Sequence, residues 1–114
     1  MNMKKELSKG SSSLLVLAVI SEGDKYGYQI IKEIEAKSNF VFAFKEGTLY
    51  PILHAFEKEG YRNSYWEDTT LQRKRKYYHI TDKGLKQLEK SKQDWKSYSD
   101  AVDKVVNSTV LANG

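Results

Sequence analysis

The last third of the chain carries one continuous helical pattern, and this pattern constrains the fold more than any other feature. Thr81 and Asp82 are suited to cap a helix, which is predicted to extend to about Leu111. At about 1.5 Å per residue this helix is on the order of 45 Å long, too long merely to cover one small domain. Leu85 and Leu88 open its apolar seam. The seam continues at spacings of three and four through Trp95, Tyr98, Val102, Val105 and Thr109, backed by Val106 and Val110. The spacing predicts a pairing seam of the coiled-coil type.

The stretch EGTLYPILHAFEKEG, from Glu46 to Gly60, predicts an amphipathic helix in the middle of the chain. Its apolar stripe consists of Leu49, Ile52, Leu53 and Phe56. The opposite face is unusual, because it consists of Gly47, Tyr50, Pro51, His54 and Lys58. We expect Thr48 to cap this helix, so that Pro51 falls in the first turn, and Gly60 to end it. Such a face suits contact with another molecule; the alternative is an ordinary core helix with an accidental outer face.

Two further helices and a strand are predicted in the first 44 residues. The first helix spans Leu7 to Ser21, and its segment from Leu14 to Ile20 is apolar all round. A helix of this kind must be covered on both sides, so we expect a second subunit to cover one side; full burial within the chain is the alternative. A second helix runs from Tyr26 to about Lys37. Residues 40–44 alternate in the sequence FVFAF, which predicts a short strand.

A hairpin is predicted after the middle helix. Two β-like runs, Tyr61 to Trp66 and Lys74 to Thr81, flank the polar stretch from Glu67 to Gln72. Four consecutive cations run from the tip of the hairpin into its second strand: Arg73, Lys74, Arg75 and Lys76. A charge run is usually a solvated face, but the position of this one on a protruding ribbon favours contact with phosphate groups.

Composition narrows the classes of protein that fit this chain of 114 residues. It has no cysteine, which excludes disulfides and fits a reducing cytoplasm, and its net charge of +4 suits an anionic partner. The apolar run from Leu14 to Ile20 is too short for a membrane span and is not followed by a signal cleavage site. The only histidines are His54 and His79, without metal-ligand spacing, and no catalytic or phosphate-loop motif is present. We therefore expect a soluble cytoplasmic protein that is not an enzyme and needs no cofactor.

The order helix, helix, strand, helix, hairpin, long helix predicts a mainly α fold with a small β-hairpin (α+β). Residues 1–81 would form a winged helix-turn-helix that binds double-stranded DNA, and residues 82–114 a C-terminal dimerisation helix. One winged helix reads a short half-site, so specificity requires a homodimer. The residues expected at DNA lie on the second helix, the middle helix and the wing: Tyr28, Lys45, Gly47, Thr48, Tyr50, Pro51, His54, Arg73, Lys74, Arg75 and Lys76.

Three blocks in this order strongly resemble the PadR family of bacterial transcriptional regulators. They are YGYQIIKEIE at 26–35, KEGTLYPILHAFEKEG at 45–60 and RKYYHITDKGLKQLE at 75–89. The resemblance is greatest to the small subfamily that includes a lactococcal multidrug-binding repressor. It implies a winged helix-turn-helix with a dimerisation helix, and repression of a neighbouring operon that often encodes a transporter. The chain departs from the family pattern at Arg62, where an aliphatic residue is usual, and in its wing tip, which lacks glycine.

The resemblance also implies a ligand site at the dimer interface, where Trp95 from each subunit would sandwich a planar aromatic or drug-like compound. The first-helix residues that match the lining of this site are Leu7, Ser13, Leu14, Leu17 and Ala18. Ser91 and Ser99 lie one turn before and after Trp95 and could leave a slot for a flat ligand, although Ser99 replaces an acidic residue of the subfamily. Three alternatives stay open: Trp95 packs on its mate, the regulator needs no effector and is controlled by abundance or a protein partner, or the module binds protein instead of DNA.

Overall fold

The computed structural model describes the backbone of residues 3–71 and 73–113 and the side chains of residues 11–71 and 73–108. Its elements in chain order are α1 (Met3–Ser21), β1 (Lys25–Tyr26), α2 (Gly27–Lys37), α3 (Glu46–Glu59), β2 (Arg62–Asp68), β3 (Lys74–Ile80) and α4 (Asp82–Asn113). The three strands form one antiparallel sheet in the order β1-β3-β2. The predicted fold class, mainly helical with a small β-hairpin and a long last helix, is confirmed.

The hydrophobic core lies where α1, α2 and α3 meet the base of the sheet. The fully buried α1 residues Val16, Leu17 and Ile20 pack with Ile30 of α2 and Leu49 of α3 in one cluster. The sequence predicted the apolar stripe of α3 correctly. Leu49, Leu53 and Phe56 are buried, and Ile52 is half-buried. Burial of this stripe fixes the opposite face of α3 toward the outside of the molecule.

The strand predicted at residues 40–44 is wrong, because these residues form an irregular connection between α2 and α3. Asn39 and Phe40 have φ angles of +51° and +64°, in the left-handed region, which an extended strand cannot contain. Only Phe44 of the alternating run is buried, and Phe40 and Val41 point into solvent. The third strand of the sheet is instead β1, which pairs with β3 through Lys25 and Tyr26. A strand of two residues is too short to produce an alternating pattern, so the sequence did not predict β1.

The ends of α3 agree only in part with the sequence prediction. Gly60 ends the helix with a left-handed φ of +77°, as expected. Thr48 is not the N-cap, because the helix begins at Glu46 and the amides of Thr48 and Leu49 both donate to the Lys45 carbonyl at 3.0 Å. Pro51 therefore lies in the second turn instead of the first, where its ring removes the hydrogen bond that its amide would have made to Gly47.

The long helix α4 is covered by the rest of the chain only near its start. The Thr81 hydroxyl accepts the Gly84 amide at 3.0 Å, which confirms the predicted cap, and donates to the Gly60 carbonyl at 2.6 Å. Gly84 and Leu88 are buried, whereas the large apolar side chains described farther along the helix are exposed. The helix is 32 residues long, and the molecule measures 64 × 28 × 24 Å. Most of α4 projects beyond the winged helix.

Candidate nucleic-acid interface

The helices α2 and α3 approach each other closely at the first residue of α2. A Cβ atom added to Gly27 would lie 2.7 Å from the Tyr50 hydroxyl oxygen and 3.7 Å from a Leu49 methyl group. The Tyr26 amide before it donates to the Gln29 side chain at 3.2 Å, which fixes the start of α2. Because α2 packs on the stripe side of α3, the other side of α3 stays open. This is the arrangement of a helix-turn-helix, in which the second helix can enter a DNA groove.

The open side of α3 carries the predicted DNA-contacting residues of this helix. All of them are exposed: Lys45, Gly47, Thr48, Tyr50, Pro51 and His54. Tyr50 is 45% exposed, because one side of its phenol rests on Gly27. No atom lies within 4 Å of the Cβ position at Gly47, so another backbone could approach closely there. Tyr28, at the start of α2, is also exposed, and the Lys32 ammonium lies 5.4 Å from its ring centroid. The surface combines hydrogen-bonding side chains with two cations, Lys45 and Lys32.

The hairpin of β2 and β3, which we call the wing, has two different faces. Residues opposite one another in the register share a face, and the face alternates along each strand. The inner face holds the buried residues Arg62, Tyr78 and Ile80 and so lies on the α3 side. The outer face, on the opposite side of the sheet, holds Tyr65 and Tyr77, whose rings stack at 5.7 Å.

The four consecutive cations of the wing are therefore not brought together into one patch. Lys74 and Lys76 lie on the inner face, opposite Asp68 and Trp66 respectively. Arg75 lies on the outer face, where its guanidinium stands 4.3 Å from the ring centroid of Tyr26. Arg73 precedes β3, and its amide and carbonyl bond to Thr69 and close the glycine-free tip. Only the inner-face lysines point to the same side as α3.

Arg62 links the base of the wing to α3. The side chain is 5% exposed; its Nε donates to the Leu53 carbonyl at 2.9 Å, and a terminal nitrogen donates to the Glu57 carboxylate at 2.9 Å. The guanidinium also lies 4.9 Å from the Tyr78 ring centroid. A buried arginine of this kind is stable because its donors are satisfied. Sequence reasoning noted Arg62 only as a departure and missed this role, since its main acceptor is a backbone carbonyl of another element.

The sequence model of the transcriptional regulator PadR-like family matches residues 16–90. The chain belongs to this family. An uncharacterized protein of Lysinibacillus sphaericus is 33% identical over 101 residues, which span 89% of this chain and 93% of the relative. A solved transcriptional regulator from Clostridium thermocellum has a TM-score of 0.80 at 33% identity, over 87% of this chain and 96% of its own. A PadR-like transcriptional regulator from Bacillus cereus has a TM-score of 0.76 at 39% identity, over 89% and 96% of the two chains.

This assignment confirms the resemblance to the PadR family that the three sequence blocks carried. The PadR-family chain is a transcriptional regulator with a DNA-binding winged helix, and not an enzyme. Across the part of the chain that the structure describes, no cluster of three or more His, Asp or Glu side chains could hold a metal ion. No helix among these residues has the length and apolarity that crossing a bilayer requires.

A hydrogen-bonded brace holds the outer face of the wing in this PadR-family protein. The Tyr65 hydroxyl donates to Asp24 Oδ2 at 2.6 Å, and His79 Nδ1 lies 2.7 Å from Asp24 Oδ1. The hydrogen bond from Tyr65, followed by that from His79, holds the pKa of Asp24 below its ordinary value. The same bond raises the pKa of Tyr65 to about 12. The brace connects the turn before β1 to both strands of the wing.

The residues predicted for a ligand site lie on α1 and α4, two helices that pack against each other. Leu17 belongs to the core, whereas Ser13, Leu14 and Ala18 are half-buried. The side chain of Leu7 lies outside the described residues. One cavity of about 290 Å³, between α1, α2 and the connection to α3, shares only Ala18 with this set.

On α4, Trp95 is 43% exposed, with its ring centroid 5.9 Å from that of Tyr98. The serine hydroxyls beside it are bonded within the same helix. Gln87 donates to Ser91 Oγ at 3.1 Å, and Ser99 Oγ donates to the Lys96 carbonyl at 3.1 Å. Within one chain, the indole of Trp95 therefore has one open side and small neighbours along the helix.

Proposed function

We propose that this PadR-family regulator is a homodimeric, cytoplasmic repressor whose α3 helix reads the major groove of an operator. The observation that carries the proposal is the open side of α3, where Thr48, Tyr50 and His54 face outward from a helix that is buried on its other side. Side chains held rigidly on a helix can reach base edges in the major groove. Tyr28, Lys45 and the inner-face lysines Lys74 and Lys76 of the wing would add phosphate contacts, which hold the protein in register.

The dimer is supported by the apolar side chains that α4 leaves uncovered. Trp95, Tyr98, Val102, Val105 and Val106 are all exposed in the single chain. A contiguous exposed apolar surface of this kind marks an interaction site. In the proposed division of the chain, residues 1–81 bind DNA and the helix of residues 82–114, which packs on the DNA-binding domain up to Leu88, pairs with a second copy beyond that point, with α1 at the same interface.

The release mechanism that we propose is binding of a planar aromatic or drug-like compound between the Trp95 residues of two subunits. The open side of the indole and the small neighbours Ser91 and Ser99 support it, because a flat ligand needs an aromatic surface with space beside it. Ser13, Leu14, Leu17 and Ala18 of α1 would complete the lining. The second candidate, a regulator without an effector, is favoured by the contact of Trp95 with Tyr98 of its own helix.

The recognition surface is tested by replacing Tyr50 and His54 together with alanine. We expect the variant to remain a dimer but to lose its preference for a sequence selected from a random duplex library over a random duplex. The control variant removes the same two residue types from the outer face of the wing, Tyr65 and His79. A Tyr50/His54 variant that keeps its preference would show that α3 does not read the operator.

The effector site is tested by fluorescence titration with planar cationic dyes and phenolic acids. We expect saturable quenching in the wild type and in Trp66→Phe, and none in Trp95→Phe. Quenching that depends on Trp66, or no quenching by any compound in a confirmed dimer, would contradict the interfacial site and favour the effector-free regulator.

A further inference from the structure

Trp66 is a large apolar residue that neither the core nor the predicted DNA-contacting set includes. It lies on β2 and is 64% exposed. The register pairs it with Lys76 and places both on the inner face of the wing, with Arg62 and Tyr78. At the base of the wing this face is buried against α3 through Arg62. Farther toward the tip the same face is open, so the indole projects into solvent on the α3 side of the wing.

Lys76 and Trp66 form a unit with defined geometry. The Lys76 ammonium lies 6.0 Å from the ring centroid of Trp66 and 5.9 Å from that of Tyr78. Two aromatic rings therefore hold one cation on the inner face, which reduces the side-chain entropy that it would lose on binding an anion. The next pair toward the tip, Lys74 and Asp68, places a second lysine on the same face, opposite a carboxylate.

We propose that Trp66 and Lys76 form a contact with the DNA sugar–phosphate backbone beside the groove that α3 occupies. The inference rests on the proposed function and adds to it a residue that the sequence did not point to. The Lys76 ammonium pairs with a phosphate oxygen, and the indole N–H donates a hydrogen bond to a neighbouring phosphate. The apolar face of the indole packs on a deoxyribose, which covers an aromatic surface that is otherwise left in water.

Arg75 is the internal control for this contact. It is the residue before Lys76 and carries the same charge, but it lies on the outer face with its guanidinium 4.3 Å from the ring centroid of Tyr26. Its cross-strand partner is Glu67, an acid. If position on the inner face decides which cation meets phosphate, Lys76 contributes to DNA binding and Arg75 does not.

The test uses a random-sequence DNA duplex and measures affinity at several salt concentrations by fluorescence anisotropy of labelled DNA. Lys76→Gln should reduce the slope of log affinity against log salt by about 0.9 for each protomer bound. Arg75→Gln should leave the slope unchanged. Trp66→Ala should weaken binding roughly tenfold because it removes a hydrogen bond to a charged group. The loss should be similar on random and selected duplexes, because the contact is to the backbone. Thermal unfolding of each variant checks that the fold is intact, which we expect because Trp66 and Arg75 are exposed and Lys76 is only half-buried.

A second measurement observes the indole directly. In the Trp95→Phe variant, the emission of Trp66 should change saturably as unlabelled duplex is added. Unchanged emission at saturating DNA, or equal slopes for Lys76→Gln and Arg75→Gln, would overturn the inference and leave the indole to a protein partner. Failure of the proposed function would give a different result, because the wild type itself would then show no salt-sensitive affinity for DNA.

Discussion

The apolar residues of the winged helix are buried within the chain, whereas those of the projecting half of α4 are exposed. In the winged helix, residues such as Ile30, Leu49 and Leu53 are buried on one another within the same chain. In α4 beyond Ser91, residues such as Val102 and Val105 form an equally regular stripe but stay exposed. The periodicity of a sequence thus predicts where an apolar stripe lies, but not whether its cover comes from the same chain or from another.

The two regions should therefore differ in what stabilises them. The winged helix closes its own core, so its stability should depend on packing within one chain. The projecting half of α4 has little to pack on, so its contribution should depend on the concentration of the protein.

The largest effect is expected from Leu49→Ala in the core. Removing a fully buried leucine side chain should lower the free energy of unfolding by about 2–5 kcal/mol, because a cavity replaces packed atoms. Urea unfolding at two protein concentrations measures this loss. The control is Leu71→Ala at the wing tip, where the side chain is 74% exposed and the change should be within about 0.5 kcal/mol. Equal losses at both positions would contradict a closed core.

The next effect concerns self-association. Replacing Val102 and Val105 with aspartate should weaken the dimer roughly thirtyfold or more, since charges would enter the seam between two helices. Sedimentation velocity across a dilution series measures the change. Val41→Asp is the control, because Val41 is also exposed but lies on the connection between α2 and α3. If the double variant dimerises like the wild type, the stripe on α4 is not the pairing surface.

The boundary between the two regions lies within α4, and Gly84 tests it. A Cβ atom at Gly84 would collide with the Tyr61 carbonyl oxygen and lie 2.7 Å from Ile80 Cγ1. We expect Gly84→Ala to cost about 1–3 kcal/mol in thermal unfolding, because the start of α4 is part of the packed domain. Gly47→Ala is the matched helical glycine in α3, with open space around it, and should be neutral or stabilising. A harmless Gly84→Ala would move the boundary to the start of α4.

The smallest effect concerns the brace on the outer face of the wing. Asp24 has a lowered pKa in the folded protein, so its bonds contribute stability above the ordinary aspartate pKa near 3.8, and this contribution is lost as the pH falls through the lowered value. Asp24→Asn should therefore flatten the acid limb of the stability curve. The change should be no more than about 1 kcal/mol, because the group is partly exposed. An unchanged acid limb in this variant would show that the brace is not formed in solution.

Several elements of the fold were predictable because their determinants are local. The spacing of Leu49, Leu53 and Phe56 defines α3, and Gly60 and Thr81 mark helix ends through their own backbone or hydroxyl chemistry. The strand expected at residues 40–44 failed because an alternating pattern also fits a connection whose alternate residues turn inward. The left-handed angles of Asn39 and Phe40 belong to the turn that ends α2, where the Phe40 amide donates to the Glu35 carbonyl at 2.8 Å, and the alternating pattern does not contain this turn.

The exposed face of α3 was predictable from the sequence, whereas the placement of the wing cations was not. Four adjacent cations looked like one patch, yet strand alternation sends Arg75 to the opposite side from Lys74 and Lys76. The same alternation could have pointed to Trp66, once the pairing of the hairpin was fixed. The burial of Arg62 could not be predicted in this way, since this residue of β2 depends on the Leu53 carbonyl of α3.

The hydrogen bonds of Arg62 limit how far the wing and α3 can move relative to each other. Because one guanidinium joins the first residue of β2 to the backbone and to Glu57 of α3, these two hydrogen bonds oppose rotation of the wing relative to α3. In the proposed complex, each protomer would therefore keep a nearly constant distance between the groove contact of α3 and the backbone contact of the wing. Operators with different spacings between half-sites would have to be accommodated by movement of one protomer relative to the other. Movement of the wing relative to α3 within a protomer would contribute little.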